Sequence, residues 1–414
     1  MPRYGLIGGK LGHSYSKEIH EALGGYEYEL MPMDGEEVVE LLKKREFDGI
    51  NVTVPYKQLV MSHIDELSDR AASIGAVNTV IKMPDGRLRG DNTDYAGLSW
   101  TLDRAGISLS GRHVTVLGSG GTSHTVQALA KNSGAASVTV VSRGSEVDYG
   151  HPELLKHTQV LINTTPVGMY PECAEHKVDL TLMPHLEGVM DAVYNPRMTG
   201  LLQEAKRLNV PFAGGLPMLV MQAAEAIRLF TSKEVPVSEV ERIIRKISAD
   251  RDNIILVGMP GCGKSTVGKM LAKRMGRRFF DTDALVTERE GKTVSAIFSD
   301  SGEAVFRALE AQAVFDLCKE SGLVIATGGG AVLKEENRKA MQMNGRVVYL
   351  DRDVKKLGRR DRPLSTGLNA LYEMFAVRSP IYESCCDVKV ENSGSKESTV
   401  TKILEALGYE AVDN

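Results

Sequence analysis

Short runs of apolar, mostly β-branched residues recur along the chain, separated by longer stretches in which apolar positions return every three or four residues. The runs INVTVP, HVTVLG, SVTVVS, QVLINTT, GVMDAVY, IILVG, LVIATGG and RVVYL read as strands, while TVQALAKNS and TVGKMLAKRM carry the helical period. Strands that alternate with helices build parallel sheets covered on both faces, so the pattern predicts an α/β class. One amphipathic helix, VSEVERIIRKISADRD, acts as a divider: it ends in a charged turn and a strand starts at once, so a short join is expected near Asp250. No internal repeat or low-complexity segment interrupts the alternation.

Length turns this pattern into several domains, since 414 residues exceed one ordinary core and imply roughly two to four. Charge adds an exclusion. The net charge is -4 and both signs are interspersed, which gives neither nucleic acid nor an anionic membrane a surface to bind. The five cysteines, Cys173, Cys262, Cys318, Cys385 and Cys386, are odd in number and lack zinc-type spacing, as expected in a reducing compartment. The first strand-like run, YGLIGG, leaves no room for a cleavable leader, and no apolar run reaches the roughly 18 residues of a membrane span; a cytoplasmic protein is expected.

Candidate chemistry in the first half begins with GINVTVPYK, where Pro55 stops the strand and Lys57 stands just past its end. Strand ends are where α/β enzymes place reacting groups, although a lone lysine there also reads as a solvated loop residue. Ser14 and Ser16 in GHSYSKEIHEAL suit hydrogen bonding to a polar ligand or, alternatively, capping of the helix that follows. Asn78 in IGAVNTV, and Asn92 and Asp94 in GDNTDYAG, fit either a polar site or turn chemistry. In VLGSGGTSHTVQALA a strand runs through Gly118, Gly120 and Gly121 into a helix, a geometry that aims backbone N–H groups at a pyrophosphate; Ser123 takes the third glycine position. The next strand ends in Ser142 and Arg143 rather than an acid, which favours NADP over NAD, while nearby Glu146 and Asp148 keep NAD open.

Taken in order, S-x-S, N-V-T-V-P-x-K, G-A-V-N-T, D-N-T-D and the glutamine block GGLPMLVMQAAEA resemble the shikimate dehydrogenase family from about Arg3 to about Ser248. The resemblance implies that Ser14, Ser16, Thr53, Lys57, Asn78, Asp94, Tyr194 and Gln222 surround a polyhydroxylated cyclohexene carboxylate. Lys57 is the implied acid and base, with Asp94 as its partner. NADP(H) falls to Gly118, Ser119, Gly120, Gly121, Thr122, Ser142, Arg143 and Gly215. Residues 144–158, between Arg143 and the next strand, form a shorter link than many relatives have, so the adenine side of the cofactor site is expected to be abbreviated.

In the second half GMPGCGKS, Gly258 to Ser265, satisfies G-x-x-x-x-G-K-[ST] between a strand and a helix. Backbone N–H groups of Gly261 to Lys264 would cradle phosphate, Lys264 would neutralise it, Ser265 would ligate magnesium, and Cys262 is a small loop filler. In RRFFDTDALV, Asp281 and Asp283 share a face if the strand continues, or else cap a turn. Arg307 and Glu310 lie three apart on a helix, equally readable as a surface ion pair, and Gly328, Gly329 and Gly330 end a strand. GRRDRPLS and VRSPIY add Arg359, Arg360, Arg362 and Arg378.

This set resembles shikimate kinase from about Asn253 to about Leu407. By that resemblance Asp283, Arg307, Gly329 and Arg378 hold shikimate, with Lys264 and Asp283 catalytic and Ser265 and Asp281 at the magnesium. ATP is assigned to Gly261, Cys262, Gly263, Lys264, Ser265, Thr266 and the lid residue Arg362; the lid from about Lys355 to Gly367 is short. The expected organisation is a substrate domain over 1–94, an NADP domain over 95–250 whose last helices return to it, and a P-loop kinase over 251–414. The expected function is reduction of 3-dehydroshikimate followed by phosphorylation of shikimate, with small molecules as the partners. The alternatives are a quinate or NAD preference, another small alcohol for the kinase, or a ligand sensor; a sensor predicts loss of Lys57, Asp94, Lys264 and Asp283, all of which are present.

Overall fold

A tight turn sets the topology of the first sheet. The computed structural model describes residues 3–12, 14–143, 155–170, 173, 178–358 and 368–409, and its packing divides the chain into two units, Met1–Lys246 and Ile247–Asn414. In the first unit β1 (Tyr4–Gly8), β2 (Tyr28–Pro32), β3 (Gly49–Val52), β4 (Glu66–Leu67), β5 (Thr79–Lys82) and β6 (Leu88–Asp91) form one sheet in the order β2-β1-β3-β5-β6-β4. It is not the wholly parallel sheet expected, because β5 runs antiparallel to both neighbours. Met83 N–H donates to Arg87 O (2.8 Å) and Asp85 Oδ1 accepts from Arg87 N–H (3.0 Å), so PDG closes a hairpin too short for a parallel crossover.

The second sheet of this unit is parallel throughout: β7 (His113–Leu117), β8 (Ser137–Val141), β9 (Val160–Asn163), β10 (Gly188–Asp191) and β11 (Phe212–Ala213) lie in the order β11-β10-β9-β7-β8. The chain therefore winds outward in both directions from β7, leaving a crevice beyond the carboxyl ends of β7 and β9 where such sheets bind ligands. The helices are α1 (Ser16–Gly24), α2 (Gly35–Lys44), α3 (Asp69–Ile74), α4 (Asp94–Arg104), α5 (Gly121–Asn132), α6 (Gly200–Arg207), α7 (Gly215–Thr231) and α8 (Val237–Arg251). Separate cores form on the first sheet, around Phe47, Ile50 and Leu88, and on the second, around Val116, Ile162 and Met190. The unit boundary falls inside α8 rather than after it.

In the second unit β12 (Asn253–Val257), β13 (Phe279–Asp281), β14 (Val324–Ala326), β15 (Gly345–Asp351) and β16 (Val388–Glu391) make a parallel sheet ordered β13-β14-β12-β15-β16. Its helices are α9 (Lys264–Met275), α10 (Thr282–Glu290), α11 (Val294–Lys319), α12 (Glu335–Asn344), α13 (Leu368–Cys385) and α14 (Lys396–Leu407). All five residues of β12 are buried, which explains why a strand covered on both faces reads as an unbroken apolar run. Among the described residues no helix is long and apolar enough to cross a membrane.

Candidate active sites

Lys57 follows β3, and Asp94 opens α4 directly after β6. Val77 N–H donates to Lys57 O (2.8 Å), tying the lysine's loop to the chain entering β5. Lys57 Nζ lies 2.5 Å from Asp94 Oδ2, with the two side chains only 12% and 10% exposed. The solvated-loop reading of Lys57 is thereby excluded.

Behind this pair runs a buried polar chain. Tyr28 O–H donates to Asn51 Oδ1 (2.7 Å), Asn51 Nδ2 to Thr79 Oγ1 (3.0 Å), and Thr79 Oγ1 to Asn78 Oδ1 (3.0 Å). Asn78 Oδ1 also accepts from Thr93 N–H (2.7 Å), so the amide is oriented with Nδ2 toward Thr93 Oγ1 (3.1 Å). Thr93, fully buried, donates in turn to Gln222 Oε1 (3.2 Å), and Gln222 Nε2 donates to Leu219 O (2.9 Å). A buried network in which every member is satisfied fixes its side chains in single rotamers. Asn78 and Gln222 are thus linked through Thr93, the neighbour of Asp94.

A second group surrounds the head of α1. Ser14 Oγ accepts from Ser16 N–H (3.2 Å), while the helix cap position is Tyr15 and receives no side-chain bond. The capping reading therefore fails for Ser16, which lies inside the helix, while Ser14 does satisfy one first-turn N–H from just outside it. The Tyr15 ring packs against Tyr194 at 5.0 Å between centroids, and burial pushes the Tyr194 phenol up to about 12, keeping it a neutral hydroxyl. Thr53 is half-buried at the end of β3, one residue past the strand, with its N–H on Ile7 O (2.9 Å).

At the crevice of the second sheet, Gly118 turns the chain with φ +105° where β7 and β9 end, and Gly120 caps α5 without a side-chain bond. The N–H groups of the first turn of α5 are thus left open to an incoming anion. Ser119 is exposed and Thr122 half-buried; Ser142 is buried at the end of β8 with Arg143 exposed beside it, and Gly215 begins α7. A Cβ on Gly121 would lie 3.2 Å from Lys57 Cδ, so the glycine loop and the lysine occupy one cleft.

In the second unit the loop after β12 uses positive φ at Gly258, Gly261 and Gly263 and leads into α9 at Lys264. Lys264 is buried, with Nζ on Gly258 O (2.8 Å) and Met259 O (3.0 Å), and fully buried Cys262 fills the loop as expected. Ser265 Oγ donates to Asp281 Oδ2 (2.6 Å) while Asp281 Oδ1 caps α10 through Asp283 N–H and Ala284 N–H. The strand stops at Asp281, so Asp283 sits in the first turn of α10 rather than on the same strand face.

Asp283 Oδ1 is buried and has no partner among the described residues. Burial, then the carboxylates of Glu310 and Asp281, push its pKa up to about 6 against the pull of Lys264 and Arg307. Glu310 is fully buried and bonded to Arg307 Nη1 (2.8 Å), while Arg307 Nη2 reaches Glu303 (3.0 Å); the pair is not the surface ion pair that its spacing allows. A Cβ on Gly328 would collide with Glu310 Oε1 and stand 2.7 Å from Asp283 Oδ1, so both carboxylates converge on bare backbone at the end of β14. Tyr382 O–H donates to Gly329 O (2.5 Å), and buried Arg378 lies one turn earlier on α13. A cavity of about 490 Å³ joins the phosphate loop to Asp283, Arg307, Glu310 and Arg378, with Phe298, Phe306 and Met374 as apolar walls.

Residues 6–80 match the family model described as the shikimate dehydrogenase substrate binding domain. A shikimate dehydrogenase (NADP(+)) of Clostridium perfringens is 36% identical over 268 residues, covering 60% of this chain and 98% of the relative. The chain belongs to the shikimate dehydrogenase family. The fold agrees at the same extent: a chorismate mutase/shikimate 5-dehydrogenase fusion protein from Clostridium acetobutylicum superposes with TM-score 0.56 at 34% identity, covering 60% of this chain and 97% of that chain. A shikimate 5-dehydrogenase from Thermus thermophilus, solved with NADP(H) and shikimate, gives TM-score 0.53 at 33% identity over 59% of this chain and 99% of that one. Residues 260–408 match the shikimate kinase family model, so this member of the dehydrogenase family carries a kinase domain as its second unit.

Both cofactor classes fit the residues present. The uncapped start of α5 and the exposed Arg143 suit NADP(H), and the three positive-φ glycines with Lys264 suit ATP. Among the described residues no cluster of three or more His, Cys, Asp or Glu forms a metal cage. Magnesium is usually held by one or two protein groups plus phosphate oxygens, which the Ser265–Asp281 pair matches. Arg359, Arg360 and Arg362 of the expected lid, with Glu146 and Asp148, lie outside the described residues. Sequence reasoning passed over Thr93 inside a block it had singled out, and left open whether Glu310 belongs to a surface ion pair. The three-residue spacing placed Glu310 beside Arg307 but carried no signal of burial.

Proposed function

We propose that this bifunctional shikimate-pathway enzyme reduces 3-dehydroshikimate to shikimate in its first unit and phosphorylates the 3-hydroxyl of shikimate in its second. The observation that carries the first step is the Lys57–Asp94 pair against the glycine loop at Gly121. Bound NADPH would supply the hydride and bound ATP the phosphoryl group. Lys57 gives a proton to the developing alkoxide, and Asp94 holds the ammonium in line for that transfer. Asn78 and Gln222, oriented through Thr93, bond substrate hydroxyls together with Ser14, Ser16, Thr53 and Tyr194. A site of such neutral groups penalises analogues that lack the hydroxyls.

In the second unit Asp283 orients the attacking hydroxyl and receives its proton, for which its elevated pKa suits it. Arg307 and Arg378 pair with the substrate carboxylate beside Gly329. Lys264 and the loop N–H groups face the phosphates, and Ser265 with Asp281 serves magnesium. We assign 1–94 to substrate, 95–250 to NADP and 251–414 to the kinase, and place the enzyme in the cytoplasm, in keeping with five cysteines that are all unbonded. The test is a pair of assays on the purified chain. NADPH oxidation with 3-dehydroshikimate and ADP release with shikimate, ATP and magnesium are both expected, and absence of either refutes that half.

A further inference from the structure

The cavity of the second unit contains a guanidinium for which the proposed reaction has no role. Arg352 follows β15 directly and lines the cavity together with the phosphate loop. Its Nε is buried without a partner, and it makes no hydrogen bond or ion pair among the described residues. The other two guanidiniums of the cavity are engaged: Arg307 by Glu303 and Glu310, and Arg378 by Tyr382 and the field of Glu310. Nor does either adjacent acid compensate Arg352, since Asp351 is bonded by Lys389 (3.2 Å) and Tyr349 O–H (3.3 Å), and Asp353 Oδ1 accepts from Lys355 N–H (2.9 Å).

Position narrows the role. A Cβ on Gly263 would lie 3.9 Å from Arg352 Nη1, which puts the guanidinium against the phosphate loop one residue before Lys264. The same turn is braced by Asn392, whose Nδ2 donates to Cys262 O (2.6 Å), and by Gly358 N–H on Gly261 O (3.3 Å). Asn392 N–H also donates to Asp351 O (2.7 Å), so the segment 351–358 is held on the loop at both ends. A cationic donor that is partly desolvated and unpaired is costly unless a ligand completes it. The complement of a rigid fork of N–H donors beside an anion-binding loop is a phosphate.

We propose that Arg352 is a further nucleotide-binding residue of the kinase, donating to a phosphate of the nucleoside triphosphate beside Gly263. The proposal rests on reading this cavity as the nucleotide site. It is tested on the full chain by calorimetric titration with MgADP and by kinase kinetics for Arg352→Ala and Arg352→Lys, with thermal unfolding of the second unit and an unchanged KM for shikimate as the check that the kinase of each variant is folded. Losing a charged hydrogen bond should weaken MgADP binding and raise the KM for ATP about tenfold or more in Arg352→Ala, with the KM for shikimate and the dehydrogenase unchanged. Arg352→Lys should recover part of the loss, because it keeps the charge without the fork. Unchanged MgADP affinity in a folded Arg352→Ala chain overturns the proposal, as does a rise confined to the KM for shikimate. A wild-type chain that binds MgADP in an Arg352-dependent way yet fails to phosphorylate shikimate would refute the function proposed above and leave this inference standing.

Discussion

Gly121 and Lys57 meet side chain to backbone, with room for no added methyl: a Cβ on the glycine would stand 3.2 Å from Lys57 Cδ and 3.4 Å from Lys57 Cβ. The neighbour that must yield is a flexible lysine, so Gly121→Ala should fold normally while shifting Lys57 by a few tenths of an ångström away from Asp94. Small misplacements of a catalytic group are expensive, and we expect dehydrogenase kcat/KM to fall about three- to tenfold with kinase activity unchanged. Unaltered reduction kinetics would show that the contact does not position the lysine.

The two sites should be separable. Lys57→Ala is expected to lower reduction of 3-dehydroshikimate by about 10² to 10⁴, the usual scale for removing a general acid, and to spare phosphorylation. Lys264→Ala should do the reverse. Stopped reduction together with stopped phosphorylation in either folded variant would contradict independent sites.

Thr93→Val removes one hydroxyl from a fully buried position of nearly equal volume and unpairs both Asn78 Nδ2 and Gln222 Oε1. The KM for 3-dehydroshikimate should rise about tenfold, the scale of one or two broken buried hydrogen bonds. Thr93→Ser keeps the hydroxyl and should restore the wild-type value. A serine variant as impaired as the valine one would point to packing rather than orientation.

Acid should inhibit the kinase through Asp283. Its folded pKa is raised from 3.8 to about 6, so below about pH 6 the carboxyl takes up a proton and kcat/KM for shikimate should fall tenfold per unit. Glu310→Gln deletes the second largest cause of that elevation, and the acid limb should move to lower pH; a limb that stays in place would disprove the coupling. The stability linkage has a definite sign. Between about pH 4 and 6 the folded chain holds a proton that the unfolded chain releases, so the contribution of Asp283 to stability declines as pH rises through that window. Thermal unfolding of Asp283→Asn at pH 7 should accordingly occur above the wild-type temperature.

The legible parts of both sites were those encoded locally. The phosphate loop and the glycine turn at Gly118 announce themselves because strand, glycines and helix are contiguous, and Lys57 because Pro55 marks where its strand stops. The antiparallel course of β5 is encoded just as locally, in PDG, yet the alternation of strands and helices along the rest of the chain points to parallel sheets and masks that one turn. Glu310 and Thr93 were hidden for another reason. Their burial depends on Gly328 at the end of β14 and on Gln222 of α7, partners 18 and 129 residues away that no local period reveals. The two readings left open for Asp281 and Asp283 are decided by the cap at Asp281, which starts a helix and so carries Asp283, two residues past the strand, into its first turn.

Helix α7 opens at Gly215, beside the crevice of the second sheet, and reaches the buried chain of the first at Gln222. Seven residues of α-helix measure about 10 Å, so a rigid rod acts as the ruler between the proposed cofactor end and the substrate end of the cleft. Loops around the cleft can change length without altering that distance. One residue inserted between Gly215 and Gln222 would instead swing the glutamine about 100° around the axis, uncoupling it from Thr93 while leaving both sheets intact.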